Sequence, residues 1–226
     1  MLASNKIYFI DTGSNSGTFN MDLDNNIFER FFKDEIDLPL LRFYSWSEPT
    51  LSIGFNQCVE ESDFDFPVVK RITGGQAVFH DINKNELTYS IVLKSTLRPK
   101  EIYSELGKVF IIFLNQYGLD VETGYQKTNY REAFNCFESK TEADIIVNDI
   151  KVIGSAQRVK RISNKNDKNQ YILQHGSIKL DKIRQLSGKD ISYDIASIDL
   201  RKAFREKFKV DFWDFETKEN ECNLVF

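Results

Sequence analysis

Nine short runs rich in β-branched and aromatic residues follow one another along this chain, and most are separated by only a few residues. A parallel βαβ connection needs a dozen or more residues, so this spacing favours an antiparallel or mixed sheet over a doubly wound one. The runs cover residues 7–10, 41–46, 51–55, 68–72, 77–79, 87–93, 144–147, 152–159 and 171–180.

Three segments with apolar residues at helical spacing accompany these runs. They cover residues 18–32, 99–117 and 200–209. Ser16 or Thr18 suits the N-cap of the first helix, while Pro99 in the first turn and Gly118 as the stop frame the second. The sequence therefore predicts the α+β class, with a mixed, largely antiparallel sheet flanked by helices. We expect the aromatic residues of 211–215 to return to the core.

Composition excludes several classes of protein. Hydrophobic residues make up 41% of the 226 residues and 19 residues are Phe, which is ample for one large core. A net charge of −4 lacks the basic excess of a nucleic-acid binder. The longest purely apolar run, 109–114, is far shorter than the roughly 20 residues of a membrane span, and the start resembles no secretion signal. We expect a single cytoplasmic domain over residues 1–226, with no nucleic-acid or membrane partner.

Histidine and cysteine are scarce, which limits the chemistry. His80 and His175 each follow a strand-like run without a partner at ligand spacing, so no metal site is expected. Each histidine is either a hydrogen-bonded residue at a strand end or part of a pocket wall. Cys58, Cys136 and Cys222 are too few and too scattered for a disulfide framework. They are expected to be reduced thiols, one of which could be reactive.

A pair of glycines in the segment 73–76 lies between two of the β-rich runs. Gly74 and Gly75 remove two side chains, so a ligand could approach the backbone while Arg71 meets its carboxylate or phosphate. The segment lacks the spacing of a P-loop or a dinucleotide-binding loop. A simple Gly-Gly hairpin turn remains an equal alternative.

The segment 149–158 places Lys151 in a β-rich run that continues into the small residues Gly154, Ser155 and Ala156. Small residues leave room for a substrate chain beside the backbone, although a solvated strand lysine is the simpler interpretation. Cys136 precedes this run at an interval that suits a strand, a tight turn at Asn148-Asp149 and a return strand. A nearby ammonium group would favour the cysteine thiolate, which attacks acyl groups.

Basic residues also cluster from 151 to 168, where Lys and Arg occur six times against one acid, Asp167. The polar stretch 163–169 inside this region is predicted to be a hairpin tip. The cluster is either a solvated hairpin or a surface that steers an acidic protein partner towards the site.

Taken together, these segments resemble the biotin/lipoate protein ligase superfamily, which includes cysteine-dependent octanoyltransferases. The similar motifs, in chain order, are residues 19–24, 42–46 with 50–54, 70–81 followed by 86–90, 151–157 and 173–178. Ligases of this superfamily usually carry Arg-Asn-Asp ahead of the motif lysine, whereas the transferases carry Cys-Phe. Here the pair is Cys136-Phe137, and Gln76 stands where ligases tend to have a third glycine. The resemblance therefore favours a transferase.

The resemblance implies a fold like the biotin/lipoate ligase catalytic domain and a two-step acyl transfer. Octanoyl-acyl carrier protein would be the donor, Cys136 the nucleophile, and a lysine of a lipoyl domain or of the glycine cleavage H protein the acceptor. Lys151 would lower the pKa of the thiol and polarise the carbonyl. The acyl site would comprise Arg71, Thr73, Gly74, Gly75, His80, Gly154, Ser155, Ala156 and His175. No cofactor is implied.

Three other functions fit the same residues. One is an ATP-dependent lipoate-protein ligase, and another is an amidotransferase that moves octanoyl or lipoyl groups between carrier domains. The third is a binding module for acylated domains without turnover. Retention of both Cys136 and Lys151 argues against the last.

Overall fold

In a computed structural model of the protein, the structure describes residues 4–60, 63–82, 85–123, 143–162 and 168–215. The strands are β1 (Lys6–Asn15), β2 (Leu40–Trp46), β3 (Thr50–Ile53), β4 (Val68–Lys70), β5 (Val78–His80), β6 (Glu86–Ser95), β7 (Glu122–Thr123), β8 (Ile145–Val147), β9 (Ile150–Arg161), β10 (Gln170–Lys179) and β11 (Asp211–Asp214). The helices are α1 (Gly17–Phe32), α2 (Pro99–Asn115), α3 (Leu180–Ser187) and α4 (Tyr193–Phe208).

Eight of these strands form one mixed sheet in the order β11-β1-β2-β6-β10-β9-β8-β7. The pairs β1–β2 and β1–β11 are parallel, and all other pairs of this sheet are antiparallel. A second, smaller sheet has the order β4-β3-β5. The predicted α+β class and the largely antiparallel sheet are confirmed.

The central strands are buried on both faces because alternate side chains pack into different layers. Leu41 and Phe43 of β2 face a core built with α2 and α4, whereas Leu40 faces a second core with α1. Arg42 shares the α1 face and is fully buried there. The α1 face of the sheet therefore carries polar groups that must find partners inside the protein.

The connections show why the local sequence folds as it does. Ser16 caps α1, since its side chain accepts a hydrogen bond from the Phe19 backbone N–H at 3.3 Å. Asn148 and Asp149 both have positive φ, at 47° and 64°, which is the backbone of a tight turn between antiparallel strands. This turn reverses the chain between β8 and β9, as the sequence predicts. The predicted hairpin tip is only partly visible, because residues 163–167 lie outside the described ranges.

Several sequence-based expectations for the C-terminal part are wrong. α4 begins at Tyr193, seven residues before the predicted start, because Ser192 caps it and accepts a hydrogen bond from the Ile195 backbone N–H. α3 was not predicted at all, since its eight residues give too short a periodic pattern. Of the aromatic residues predicted to return to the core, Phe212 and Phe215 pack against it, but Trp213 is 46% exposed on the edge strand β11, with the Lys6 ammonium 3.9 Å above its ring.

No helix in the described ranges is long and apolar enough to cross a membrane.

We expect Arg42→Met to lower the free energy of unfolding by about 3–5 kcal/mol, because it leaves the buried Asp24 carboxylate without its cationic partner. Arg30→Met is the matched control: Arg30 pairs with Glu35 at the surface, where both side chains are about half exposed. The control should cost less than about 1 kcal/mol. Urea unfolding followed by circular dichroism measures both variants, and equal losses would contradict a special role for the buried pair.

Candidate active site

A cavity with an empty volume of about 520 Å³ lies between the large sheet and the small one. Its walls come from α1, β2, β9 and β10 on one side and from the small sheet and its loops on the other. Thr73 and Gly74 do not line the cavity, but the other seven predicted acyl-site residues do: Arg71, Gly75, His80, Gly154, Ser155, Ala156 and His175.

The first polar cluster of the cavity is centred on Asp24. Its carboxylate accepts hydrogen bonds from Arg42 Nη1 and Ser90 Oγ, both at 2.7 Å, and from Tyr44 Oη at 3.0 Å. Burial favours the neutral acid, but Arg42 and the bonds from His175 and Ser90 outweigh it and lower the pKa of Asp24 to about 2. Asp24 is therefore a carboxylate at neutral pH.

His175 extends this cluster towards Thr73. Its Nδ1 lies 3.0 Å from the second oxygen of Asp24, and its Nε2 lies 2.6 Å from Thr73 Oγ1. A carboxylate only accepts, so Nδ1 carries a proton and donates to Asp24, while Nε2 is hydrogen-bonded to the Thr73 hydroxyl. The loop before the two glycines is thereby tied to the central sheet.

The second polar cluster is centred on Glu86 and His80. Glu86 Oε1 accepts from His80 Nδ1 at 2.7 Å and from Ser177 Oγ at 2.6 Å, and Lys179 pairs with the other oxygen. Ser52 Oγ lies 2.7 Å from His80 Nε2 and donates a hydrogen bond to it. The His80 ring also stacks on Trp46 at a centroid distance of 3.7 Å.

Burial is the main cause that lowers the pKa of His80, to about 4, although the neighbouring Glu86 opposes the shift. His80 is therefore a neutral ring that walls the cavity. Burial raises the pKa of Glu86, but the Lys179 ammonium and the hydrogen bonds from His80 and Lys179 outweigh it and lower the pKa of that carboxyl.

Arg71 organises the loop that contains the two glycines. Its Nη1 donates to the Ser52 carbonyl at 2.6 Å, and its Nη2 donates to the carbonyls of Gly74 and Gln76 at 3.1 and 2.9 Å. The loop does not form a hairpin, because β4 and β5 both pair with β3 and lie on opposite sides of it. The hairpin alternative is therefore wrong.

Close backbone contacts explain two glycines of the site. A side chain at Gly54 would place its Cβ 2.0 Å from the Gly75 carbonyl oxygen, and one at Gly176 would lie 2.4 Å from the Gly154 carbonyl oxygen. Gly75 itself has a φ of 98°, a conformation that glycine adopts readily. The first contact lies on the small-sheet side of the cavity, and the second lies between β9 and β10 of the large sheet. Gly74 has open space around it.

Lys151 is buried and does not behave as a solvated strand lysine. Its ammonium lies 2.9 Å from Asp144 Oδ1, and both side chains are about 1% exposed. Asp144 also lines the cavity. The segment that carries Cys136 runs directly into Asp144, but residues 124–142 lie outside the described ranges. The predicted meeting of Cys136 and Lys151 therefore stays a prediction.

The basic cluster of 151–168 does not form one surface. Lys151 is buried with Asp144, Lys160 reaches across to Glu29 of α1 at 2.5 Å, and Arg161 donates to Gln170 at 2.9 Å. These partners already neutralise or occupy most of the cluster. The alternative of a surface that steers an acidic protein partner towards the site stays a prediction.

Sequence reasoning did not single out several residues of the site. Ser52 and Asp144 line the cavity, and Asp24, Arg42 and Glu86 are buried in the two polar clusters next to it. A charged residue inside an otherwise apolar strand, as at Arg42, is the available signal, since buried charges need partners. No group of three potential metal ligands occurs among the described residues.

The mixed sheet with a cavity on its α1 face is the catalytic fold of the biotin and lipoate protein ligases. Residues 16–186 match the model of the lipoyl protein ligase A/B catalytic domain. The chain therefore belongs to the lipoyl protein ligase A/B catalytic domain family. The predicted fold and resemblance are confirmed.

Two relatives carry a more specific name. Octanoyltransferase LipM of Carboxydothermus hydrogenoformans is 38% identical over 183 residues, which is 75% of this chain and 63% of that protein. Octanoyltransferase LipM of Clostridioides difficile is 31% identical, and the alignment covers 96% of this chain and 92% of that protein. The chain thus spans slightly under two thirds of the first relative and nearly all of the second.

A solved structure gives the same fold at lower sequence identity. A bi-partite lipoate protein ligase from Thermoplasma acidophilum, described together with its E2 lipoyl domain, has a TM-score of 0.66 and 20% identity. The match covers 95% of this chain and 88% of that chain.

The low pKa of His80 predicts an acid-labile fold. In the unfolded chain the pKa of His80 has the ordinary histidine value near 6.5. Between about pH 6.5 and 4 the unfolded state therefore binds a proton at this residue that the folded state does not bind. Stability is therefore lost as the pH falls through this window, by up to about 1.4 kcal/mol per pH unit. His80→Gln should show a shallower slope. Urea unfolding of both proteins between about pH 6.5 and 5 measures it, and parallel slopes would contradict the assignment.

Proposed function

We propose that this protein is a cysteine-dependent octanoyltransferase. It takes an octanoyl group from acyl carrier protein onto Cys136 and passes it to a lysine of a lipoyl domain or of the glycine cleavage H protein. The observation that carries the proposal is Cys136-Phe137 at the position where ligases of the superfamily usually have Arg-Asn-Asp, in a chain whose relatives are named octanoyltransferase LipM.

The reaction proceeds in two balanced steps. In the first, the Cys136 thiolate attacks the thioester carbonyl, a new carbon–sulfur bond forms, and the carrier thiol leaves and takes up a proton. In the second, the acceptor amine attacks the acyl-enzyme, an amide bond forms, and the Cys136 thiolate is released. A covalent nucleophile divides one difficult transfer into two easier ones. No nucleotide is needed, because the donor is already an activated ester.

Lys151 is suited to this chemistry by its position. It lies on β9, three residues before Gly154, with its ammonium held against the cavity-lining Asp144. A fixed cation near the thiol favours the thiolate and stabilises negative charge on the carbonyl oxygen in the transition state. Asp144 holds the ammonium in a single place.

Backbone groups of β9 support an oxyanion site. β8 pairs with β9 only as far as Ile153, and beyond that point the described neighbour of β9 is β10. On the other edge of Gly154, Ser155 and Ala156, alternate backbone N–H groups have no described strand partner. Together with the N–H groups of Gly74 and Gly75, they are the candidate donors for a developing oxyanion.

The cavity wall suits an unbranched acyl chain. Gly154 and Ala156 contribute almost no side-chain volume, and Met21, Trp46 and Val78 add apolar surface. The polar side chains of Asp24, Glu86 and their partners satisfy one another. A flexible octanoyl chain can therefore enter without displacing a required hydrogen bond.

Incubation with octanoyl-acyl carrier protein alone, without ATP, should leave one octanoyl thioester on Cys136, because the transfer needs only an activated donor. Mass spectrometry of the intact and digested protein measures it, and addition of a lipoyl domain should discharge the label. Cys136→Ala should abolish labelling. Cys58→Ala is the matched control, since Cys58 is an exposed free cysteine and should leave labelling intact.

Two outcomes would overturn the proposal. Transfer that strictly requires ATP and free octanoate or lipoate would identify a ligase. Full activity of Cys136→Ala would exclude the thioester route altogether.

Lys151→Gln should slow acylation of Cys136 by about 10²-fold, because one positioned charge is lost from the transition state. It should also destabilise the fold, since Asp144 is then buried without its cation. The double variant Lys151→Gln with Asp144→Asn should recover stability and remain slow. Quenched acylation assays measure the rate, and urea unfolding measures the stability. If the double variant recovers both the acylation rate and the stability, Lys151 has only a structural role.

A further inference from the structure

Arg158 occupies the cavity face of β9, one step beyond the cavity. The register pairs Gly154 with Ser177, Ala156 with His175, and Arg158 with Leu173. Alternate residues of a strand share one face, so Arg158 follows Gly154 and Ala156 on the side where both line the cavity. Arg158 is therefore at the rim of the cavity rather than inside it.

Phe55 meets Arg158 from the opposite side of the rim. Arg158 Cζ lies 5.0 Å from the centre of the Phe55 ring, and this ring is 48% exposed. Phe55 follows Gly54, which packs against Gly75 at the cavity, and the Phe55 backbone N–H donates to the Thr73 carbonyl at 2.8 Å. The Arg158–Phe55 pair thus joins the large sheet to the glycine loop where the cavity opens.

Arg158 differs from its neighbours in what it binds. Lys151 and Lys160 each pair with a carboxylate, and Arg161 donates to Gln170. Among the described residues, Arg158 has neither a carboxylate within ion-pair distance nor a hydrogen-bond acceptor; its contact is the face of Phe55. A guanidinium group stacked on a ring keeps its planar set of N–H donors for a second partner, and this fork matches the geometry of a phosphate.

We propose that Arg158 and Phe55 form the subsite for a phosphopantetheine arm, with Arg158 binding the phosphate and Phe55 packing against the apolar part next to it. The inference rests on the proposed function and restricts the class of acyl donor that the protein uses. An octanoyl group carried on a lysine has no phosphate to offer. The subsite therefore selects a phosphate-bearing thioester, either on a carrier protein or as a coenzyme A ester.

The dimensions agree with this assignment. Gly154 and Arg158 are four residues apart on β9, about 13 Å along an extended strand. About thirteen bonds separate the sulfur from the phosphorus of the arm, so its extended length is roughly 16 Å. A thioester in the cavity beside Gly154 would hold its phosphate within reach of the Arg158 side chain.

The experiment compares three donors: octanoyl-acyl carrier protein, octanoyl-coenzyme A and octanoyl-pantetheine, which lacks the phosphate. Arg158→Ala should raise the KM for both phosphate-bearing donors by about 10-fold or more, as expected for a lost charged hydrogen bond, and should leave octanoyl-pantetheine unaffected. Arg158→Lys should recover part of the loss. Arg161→Ala is the matched control, because Arg161 is an exposed arginine on the same strand, and it should change no KM.

The two donors that carry phosphate distinguish the source of the arm. A larger effect with the carrier protein than with the coenzyme A ester would show that Arg158 also contacts the carrier surface. An equal rise in KM for all three donors would mean that Arg158 shapes the cavity. An unchanged KM for every donor would show that Arg158 does not bind the phosphate. Either result overturns the inference.

A direct titration separates this inference from the proposed function. Wild-type protein should bind phosphopantetheine at least 10-fold more tightly than pantetheine, and Arg158→Ala should remove the difference. If no thioester acylates the protein but this difference is present, the transferase proposal fails and the phosphate subsite stands. If acylation occurs without the difference, the subsite is wrong and the transferase stands.

Discussion

The ion pair between Asp24 and Arg42 joins the helix α1 to the sheet and fixes where the cavity can form. Asp24 uses its two oxygens to bind groups from β2, β6 and β10, the three strands at the centre of the sheet. A buried pair of this kind costs desolvation on both sides, so it persists only when additional hydrogen bonds satisfy the remaining polar atoms. Ser90, Tyr44 and His175 supply them. Met21, one turn before Asp24 on α1, is thereby placed at the cavity wall.

Because the buried polar groups hydrogen-bond to one another, the cavity is apolar in effect although many of its residues are polar. Asp24 and Glu86 are carboxylates, and each accepts a hydrogen bond from Nδ1 of one histidine, which fixes the orientation of that ring. The Nε2 atoms of His80 and His175 lie within hydrogen-bonding distance of Ser52 Oγ and Thr73 Oγ1. These chains resemble the nucleophile, base and carboxylate of a serine hydrolase, but the low pKa of His80 makes its ring a poor base. Their effect is to hold the small sheet and the glycine loop against the large sheet.

β9 organises the chemistry along one strand. Lys151 lies at its start in the buried pair with Asp144, Gly154 and Ala156 line the cavity, and Arg158 lies at the rim. Lys160 comes next on the same face and anchors the strand to Glu29 of α1. The two-residue period of a strand places Gly154, Ala156 and Arg158 on one face, so a slot for an acyl chain leads to a guanidinium group, and Lys151 lies nearer the start of the strand. This order matches the order of charge and apolar surface in an acyl thioester on a phosphorylated arm.

The sequence by itself determined the α+β class, the tight turn at Asn148-Asp149, the helix of 99–115 and the family, because periodicity, turn chemistry and ordered motifs are local properties. It also pointed to seven of the residues that line the cavity. Only the tertiary structure decided that Lys151 is buried rather than solvated, that the glycine loop crosses between strands instead of forming a hairpin, and that Asp24, Arg42 and Glu86 complete the site. Those outcomes depend on which strands and helices become neighbours and on which side chains are buried between them, and local sequence pattern encodes neither.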